Sequence, residues 1–307
     1  MITVALTGAT GFIGRVLLRH LVAQGFQVKA LYRPASNSSP TPTNSVQWQA
    51  GDLADQMSLR TFVAGADAVV HCAGAVRGTT LQQFKQSNTE GVARLLQAVT
   101  EQKVSRFLLM SSLAAREPSL SAYASSKKLG EDVLREYHDR ISWNILRPPA
   151  VYGPGDREML PLLQLIKRGL VPLIGAKEGR FSLLYVDDLA AAVSCLLRAQ
   201  GGATQGRCFE LHDGHPGGYS WRQIASIATD LSGKEPRCLA IPRPMLQSIS
   251  LANVSLARLL GYQPMLTPGK VREIFHSDWV CDNTAICRAT DWQPLVQFRE
   301  GMRRLFY

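Results

Sequence analysis

The sequence predicts an α/β fold: a doubly wound parallel sheet with a smaller C-terminal substrate lobe interleaved with it. Three observations predict it. The chain opens with a strand, a glycine turn and a helix. Strand and helix patterns then alternate as far as Tyr152. Gly8, Gly74, Ser112 and Pro148 all fall at the ends of strand-like runs. Repeated βα units make a parallel sheet covered on both faces, and its ligands gather at the carboxyl ends of the strands.

Residues 2–6 (Ile-Thr-Val-Ala-Leu) form a short buried strand, apolar and without charge. Gly8, Gly11 and Gly14 follow at three-residue intervals, with Thr10, Phe12 and Ile13 between them. Val16, Leu17, Leu18, Leu21 and Val22 then give a helical stripe that stops near Gly25. In that setting Gly8 permits a tight turn, and Gly11 lets backbone N–H groups approach a pyrophosphate. Gly14 lets helix and strand pack closely, with the helix N-terminus facing the anion. The loop therefore predicts a dinucleotide site.

Residues 26–31 make the second strand, and Tyr32-Arg33 follows it. An acidic residue there suits the ribose 2′-hydroxyl of NAD, whereas an arginine suits the 2′-phosphate of NADP. Arg33 favours NADP(H), with NAD(H) as the alternative. Residues 36–44, rich in Ser, Pro and Thr, read as a flexible surface loop. After the strand at 46–50, Asp52-Leu53 either meets the adenine edge or caps a helix.

A strand at 68–73 ends in Gly74, and a helix with Val92, Leu95, Leu96 and Val99 on one side spans 88–99. Residues 106–110 form a strand ending at Ser111-Ser112; a helix occupies 123–137; a strand at 143–146 is ended by Arg147-Pro148-Pro149. Beyond Tyr152 the pattern loosens. A helix is expected from Glu158 to Arg168, and a strand at 181–186 returning to the sheet. Asp187 is expected to cap a helix at 188–197, followed by a last sheet strand at 207–211 and a helix at 221–231. The expected division is 1–151 with 181–212 as the nucleotide-binding domain, and 152–180 with 213–307 as the substrate lobe.

Tyr123 and Lys127 stand at i and i+4, so they share a helix face. A free phenol has a pKa near ~10 and is a poor acid–base catalyst at neutral pH; a neighbouring lysine cation favours the phenolate. The same lysine can hydrogen-bond a nicotinamide ribose. Ser112, at the end of the adjacent strand, can donate to a substrate oxygen while Tyr123 exchanges its proton.

Composition sets outer bounds. Lys and Arg number 34 against 24 Asp and Glu, a formal net charge of +10. With no basic run and no nucleic-acid motif, the charge reads as a solvated surface with a local phosphate role, and no nucleic-acid partner is expected. The six cysteines form no C-x-x-C pair, so no metal site is expected; Cys72 and Cys195 read as buried thiols. The first strand begins at once after Met1, and no apolar run reaches membrane-spanning length, which together suggest a cytoplasmic protein. The apolar run Met245 to Leu260 reads as a packed lobe helix, with a substrate pocket or membrane surface as alternatives. Asp156 and Arg157 are candidate substrate contacts, and His71 a partner for backbone near the cofactor.

The chain resembles the extended short-chain dehydrogenase/reductases of the NAD-dependent epimerase/dehydratase group. The resemblance rests on Thr7 to Gly14, Asp52-Leu53, His71 to Gly74, Asn88 to Gly91, Ser111-Ser112, Tyr123 to Lys127, Arg147 to Pro154 and Tyr185 to Asp188. It implies a Rossmann sheet, with Asn88 supporting the active site. Ala73, Gly74 and Ser111 would line the cofactor, and Pro148 to Val151 would pass its nicotinamide end. It also implies a homodimer formed through the helices at 88–99 and 123–137. Two departures matter. Ser112-Leu113-Ala114 stands where sugar-nucleotide dehydratases carry Thr-Asp-Glu, which disfavours water elimination. The segment from Ser112 to Tyr123 is shorter than in typical sugar-nucleotide epimerases. The leading expectation is an NADP(H)-dependent oxidoreductase acting on a small-molecule ketone or secondary alcohol. The alternatives are a nucleotide-sugar epimerase with tightly held NAD, and a non-catalytic nucleotide-binding sensor or assembly protein.

Overall fold

A computed structural model describes residues 1–34, 45–175, 178–199 and 202–307; the loop expected at 36–44 lies outside the described residues. The first half contains β1 (Thr3–Thr7), α1 (Phe12–Ala23), β2 (Gln27–Tyr32), β3 (Val46–Ala50), α2 (Gln56–Val63) and β4 (Ala68–His71). It continues with α3 (Leu81–Lys85), α4 (Gly91–Glu101), β5 (Arg106–Met110), α5 (Ala122–Arg135) and β6 (Ser142–Arg147). The second half holds β7 (Ala150–Tyr152), α6 (Leu160–Lys167), β8 (Leu170–Leu173), β9 (Arg180–Phe181), β10 (Leu183–Tyr185), α7 (Val186–Arg198) and β11 (Arg207–Glu210). It closes with α8 (Trp221–Ser232), β12 (Arg237–Ala240), α9 (Arg243–Leu260), α10 (Pro268–Ile274), β13 (Asp278–Trp279), α11 (Thr284–Ala289) and α12 (Phe298–Phe306).

The main sheet has seven strands in the order β11-β6-β5-β4-β1-β2-β3, and every pair is parallel. Strand order reverses between β1 and β4, so a crevice opens at their carboxyl ends. Alternation along each strand builds a core on both faces. Val4, Leu6, Val70, Leu108 and Met110 face one side, with α1 and α7. Ala5, Val69, Phe107 and Leu109 face the other, with α2, α4 and α5. A third apolar cluster, around Tyr152, Tyr185, Tyr219 and Phe298, draws only on residues from 152 onward.

Three expectations need correction here. The strand anticipated at 181–186 does not join the main sheet. It divides at Ser182: β9 pairs with β13 and β10 with β7, each in a separate two-stranded sheet. Asp187 is not the cap of α7, which is capped by Tyr185 without a side-chain bond. Asp188 works instead as a staple: its Oδ2 accepts from Leu295 N at 3.1 Å and Val296 N at 2.9 Å. Cys72 and Cys195 are only half-buried; Cys281 is the buried thiol.

The staple carries a prediction. Asp188→Ala would leave the buried N–H of Val296 and the part-buried N–H of Leu295 without partners, the buried one costing about 1–3 kcal/mol. Chemical denaturation is expected to show a loss of about 2–4 kcal/mol, and an unchanged midpoint would refute the staple.

Candidate active site

The glycine loop between β1 and α1 is held by close approach to the next strand. Gly8 has φ +74°, and a Cβ there would lie 2.6 Å from Ala73 N. Gly14 packs as tightly: a Cβ would lie 2.6 Å from the Gly8 carbonyl carbon and 3.0 Å from Ala9 Cα. Gly11 N donates to Gly8 O at 2.9 Å and closes the turn. Thr10, Phe12 and Ile13 are half-buried beside it. Gly11 caps α1 with no side-chain bond, and the first turn carries no acid. The N–H groups at that end are therefore offered to an outside anion. A small-residue cradle at the topological switch point, ending on an uncapped helix, fits the pyrophosphate of a dinucleotide.

The residues flanking it follow β2, β3 and β4. Arg33 is exposed directly after β2. Asp52 Oδ1 accepts from Ala54 N at 2.8 Å and so fixes a turn, while the cap of α2 is Asp55, which accepts from Met57 N at 3.0 Å. Leu53 packs on the core beside Gly91. Ala73 N donates to Thr7 Oγ1 at 3.2 Å, and that oxygen lies 2.7 Å from His71 Nδ1. His71 thus bonds a side chain rather than backbone. Burial, with help from the charge of Lys127, pushes its pKa down to about 3, so it is neutral.

The catalytic candidates meet at the carboxyl end of β5. Ser112 begins a 3₁₀ turn at Leu113–Arg116; its Oγ accepts from Ala114 N at 3.2 Å, and its hydroxyl is near enough to the Tyr123 phenol to favour the phenolate. Tyr123 sits in the first turn of α5, which Ser121 caps by accepting from Ala124 N at 2.9 Å. Lys127, one turn on, is 9% exposed and donates from Nζ to Met110 O at 2.8 Å. Burial pushes its pKa down to about 8. A Cβ on Gly74 would lie 3.3 Å from that Nζ, so the lysine also faces the end of β4.

Asn88 lies in a π-helical turn, Gln86–Glu90, that joins α3 to α4. Its Nδ2 donates to Ala75 O and to Ser126 Oγ, both at 3.0 Å, and its Oδ1 accepts from Ala75 N at 2.9 Å. The amide is saturated by these bonds, which tie the β4 loop to α5. Such turns concentrate at functional sites. Ser111 Oγ donates to Glu131 Oε1 at 2.6 Å, and Arg147 clamps Glu131 with Nε at 2.8 Å and Nη2 at 2.6 Å. This buried set locks the ends of β5 and β6 to α5. Pro148 is buried behind it and Val151 half-buried.

The sequence reading missed Lys270. This residue of α10 places Nζ 5.9 Å from the centroid of the Tyr123 ring and pairs with Glu273 at 2.7 Å. Glu273 also accepts from Ser121 Oγ, the cap of α5. Burial works against the charge of Lys270, yet Glu273 carries its pKa above the ordinary value. Tyr123 itself is pushed up by burial; the Ser112 hydroxyl and the Lys270 charge act in the opposite direction. Lys270 thus brings a second cation toward the phenol, while Lys127 Nζ donates to Met110 O. Asp156 is corrected. It is buried and accepts from Glu158 N at 2.8 Å and from Met159 N, so it shapes a turn rather than facing a ligand.

Comparison with known proteins agrees with this geometry. A ceramide reductase of Caulobacter vibrioides is 37% identical over 276 residues, covering 90% of this chain and 85% of the relative. A 2-alkyl-3-oxoalkanoate reductase of Stenotrophomonas maltophilia is 26% identical, covering 98% of both chains. The solved structure of MoeE5 with UDP-glucose and NAD superposes with a TM-score of 0.75 at 20% identity, covering 99% of this chain and 97% of that one. The NAD dependent epimerase/dehydratase family matches residues 4–211. With its switch-point crevice, glycine cradle and Ser-Tyr-Lys cluster, the chain belongs to the NAD-dependent epimerase/dehydratase family of enzymes, in its extended short-chain dehydrogenase/reductase form.

Proposed function

We propose that the protein is an NADP(H)-dependent reductase that interconverts a ketone and a secondary alcohol on an alkyl-chain substrate. The observation that carries the proposal is the grouping at the end of β5 of Ser112 with Tyr123 and Lys127, one turn apart on α5, where Lys127 Nζ donates to Met110 O. The glycine loop and Arg33 would hold the dinucleotide, whose nicotinamide supplies the hydride when bound. Ser112 orients the substrate oxygen, and Tyr123 gives that oxygen its proton or takes it back. Burial keeps the phenol protonated at neutral pH, the form that reduction requires. Lys127, whose Nζ donates to Met110 O, would hold the ribose. The names of the two reductase relatives point to an oxo group carried on a long or branched alkyl chain. The part of the chain from 152–180 and 213–307 would select that chain, and pairing of two copies through α4 and α5 belongs to the same reading.

The test is NADPH consumption by the purified protein with 3-oxoalkyl substrates of increasing chain length. Turnover that rises with chain length supports the proposal. If one NAD per chain is instead released on denaturation, and NADPH is not consumed, the epimerase reading replaces it.

Cofactor preference has its own prediction. Arg33→Asp would remove a charge-assisted bond to a 2′-phosphate, which is worth about 1.5–3 kcal/mol. The kcat/KM ratio of NADPH to NADH is expected to fall by roughly 10–100-fold. An unchanged ratio would show that Arg33 does not read the phosphate.

A further inference from the structure

The expectation that the Met245–Leu260 run is a packed helix is overturned. Of the 18 residues of α9, only Ser250 and Ala257 are buried. Met245, Ile249, Leu256, Leu259 and Leu260 are 45%, 47%, 48%, 82% and 69% exposed. Their spacing of i, i+4, i+11, i+14 and i+15 puts all five on one helix face. The surrounding sequence is as one-sided in charge. From Pro236 to Arg272 there is no Asp or Glu, whereas Arg237, Arg243, Arg258, Lys270 and Arg272 are cationic.

We propose that α9 docks on the surface of an anionic lipid bilayer, with its apolar stripe at the acyl boundary and the flanking arginines against the headgroups. A helix with an apolar face, arginines on its other side and no carboxylate is the pattern of an interfacial helix. Among the described residues no helix is long and apolar enough to cross a membrane, so α9 would lie on the bilayer rather than span it.

The position of α9 gives the docking a use. It packs on α10, the helix that carries Lys270 to the ring of Tyr123. The loop after α9 meets the loop after β4 where Gly78 N donates to Pro264 O. A bilayer under α9 would therefore lie beside the mouth of the crevice, where an alkyl-chain ketone can enter without crossing water. This last step rests on the reductase reading; the docking does not.

The test is flotation of the full chain with vesicles of phosphatidylcholine alone and of phosphatidylcholine mixed with phosphatidylglycerol. Co-flotation is expected with the anionic vesicles and is expected to weaken as salt rises. Replacing Leu256, Leu259 and Leu260 together by Gln should weaken binding by at least about tenfold without altering the circular dichroism spectrum. Each of Arg243→Gln and Arg258→Gln should weaken it roughly fivefold. The proposal is overturned if the wild-type chain stays with the unbound fraction, or if the triple variant floats as well as wild type. It is overturned equally if the triple variant splits a dimer, which would assign the face to a second copy. A higher KM for a short water-soluble ketone with unchanged flotation would assign the face to the crevice. The flotation and dimer outcomes do not depend on whether the reductase reading is correct.

Discussion

Tyr123→Phe is expected to lower kcat for ketone reduction by about 10²–10⁴-fold, the usual contribution of a positioned proton donor, with little change in the KM for NADPH. The substitution keeps the ring, so the edge contact with Phe84 at 5.9 Å survives and the fold should be intact. The pH dependence follows from burial. Burial raises the Tyr123 pKa above the ordinary phenol value, with Ser112 and Lys270 acting against it. Below that raised pKa the phenol holds its proton. Reduction is therefore expected to be flat through neutral pH and to fall only in the alkaline range, as the proton is lost. Alcohol oxidation needs the deprotonated form and is expected to rise over the same alkaline range. Steady-state rates in both directions across pH settle the matter. A variant that keeps near-wild-type kcat, or a reduction rate already falling as pH rises through neutrality, would remove Tyr123 from the chemistry.

Gly14→Ala should be the most damaging single change in the nucleotide half. The added Cβ would collide with the Gly8 carbonyl oxygen and lie 2.6 Å from its carbon, and backbone on both sides cannot move aside cheaply. Overpacking of this kind costs about 1–3 kcal/mol or more, and here the displaced atoms belong to the turn that receives the pyrophosphate. The variant is expected to lose at least about 2 kcal/mol of stability and to show no measurable NADPH binding by calorimetry. Gly25→Ala serves as the comparison. Gly25, unlike Gly14, has positive φ, but a Cβ there meets nothing within 4 Å. It should therefore lose stability and keep binding. If both variants bind NADPH normally, the cradle does not hold the nucleotide as described.

The parts of this fold that were legible in the sequence are those built from local pattern. Val4, Leu6 and the glycine spacing encode strand, turn and helix within a few residues, and each βα unit repeats that logic. Ser112, Tyr123 and Lys127 were legible because one helix and one adjacent strand bring them together. What escaped was long-range. Lys270 lies far along the chain from Tyr123, and no periodicity joins them. The three residues of β10 carry no mark that selects β7 over the main sheet. The role of Asp188 escaped because its partners, the N–H groups of Leu295 and Val296, come from the other end of the chain. The apolar stripe of α9 was legible as a stripe; whether anything covered it was not, because burial belongs to the assembled molecule.

The link from Lys270 and Glu273 to Ser121 and Tyr123 constrains how this protein could be given a new substrate. The segment that would choose the substrate also carries the charge that tunes the proton donor and the carboxylate that holds the start of its helix. Exchanging residues 262–279 for those of a relative would change ligand preference and acid strength together. A graft that retains Lys270 and Glu273 separates the two. Specificity and rate are thus not independent design variables in this enzyme, and libraries aimed at one should hold that pair fixed.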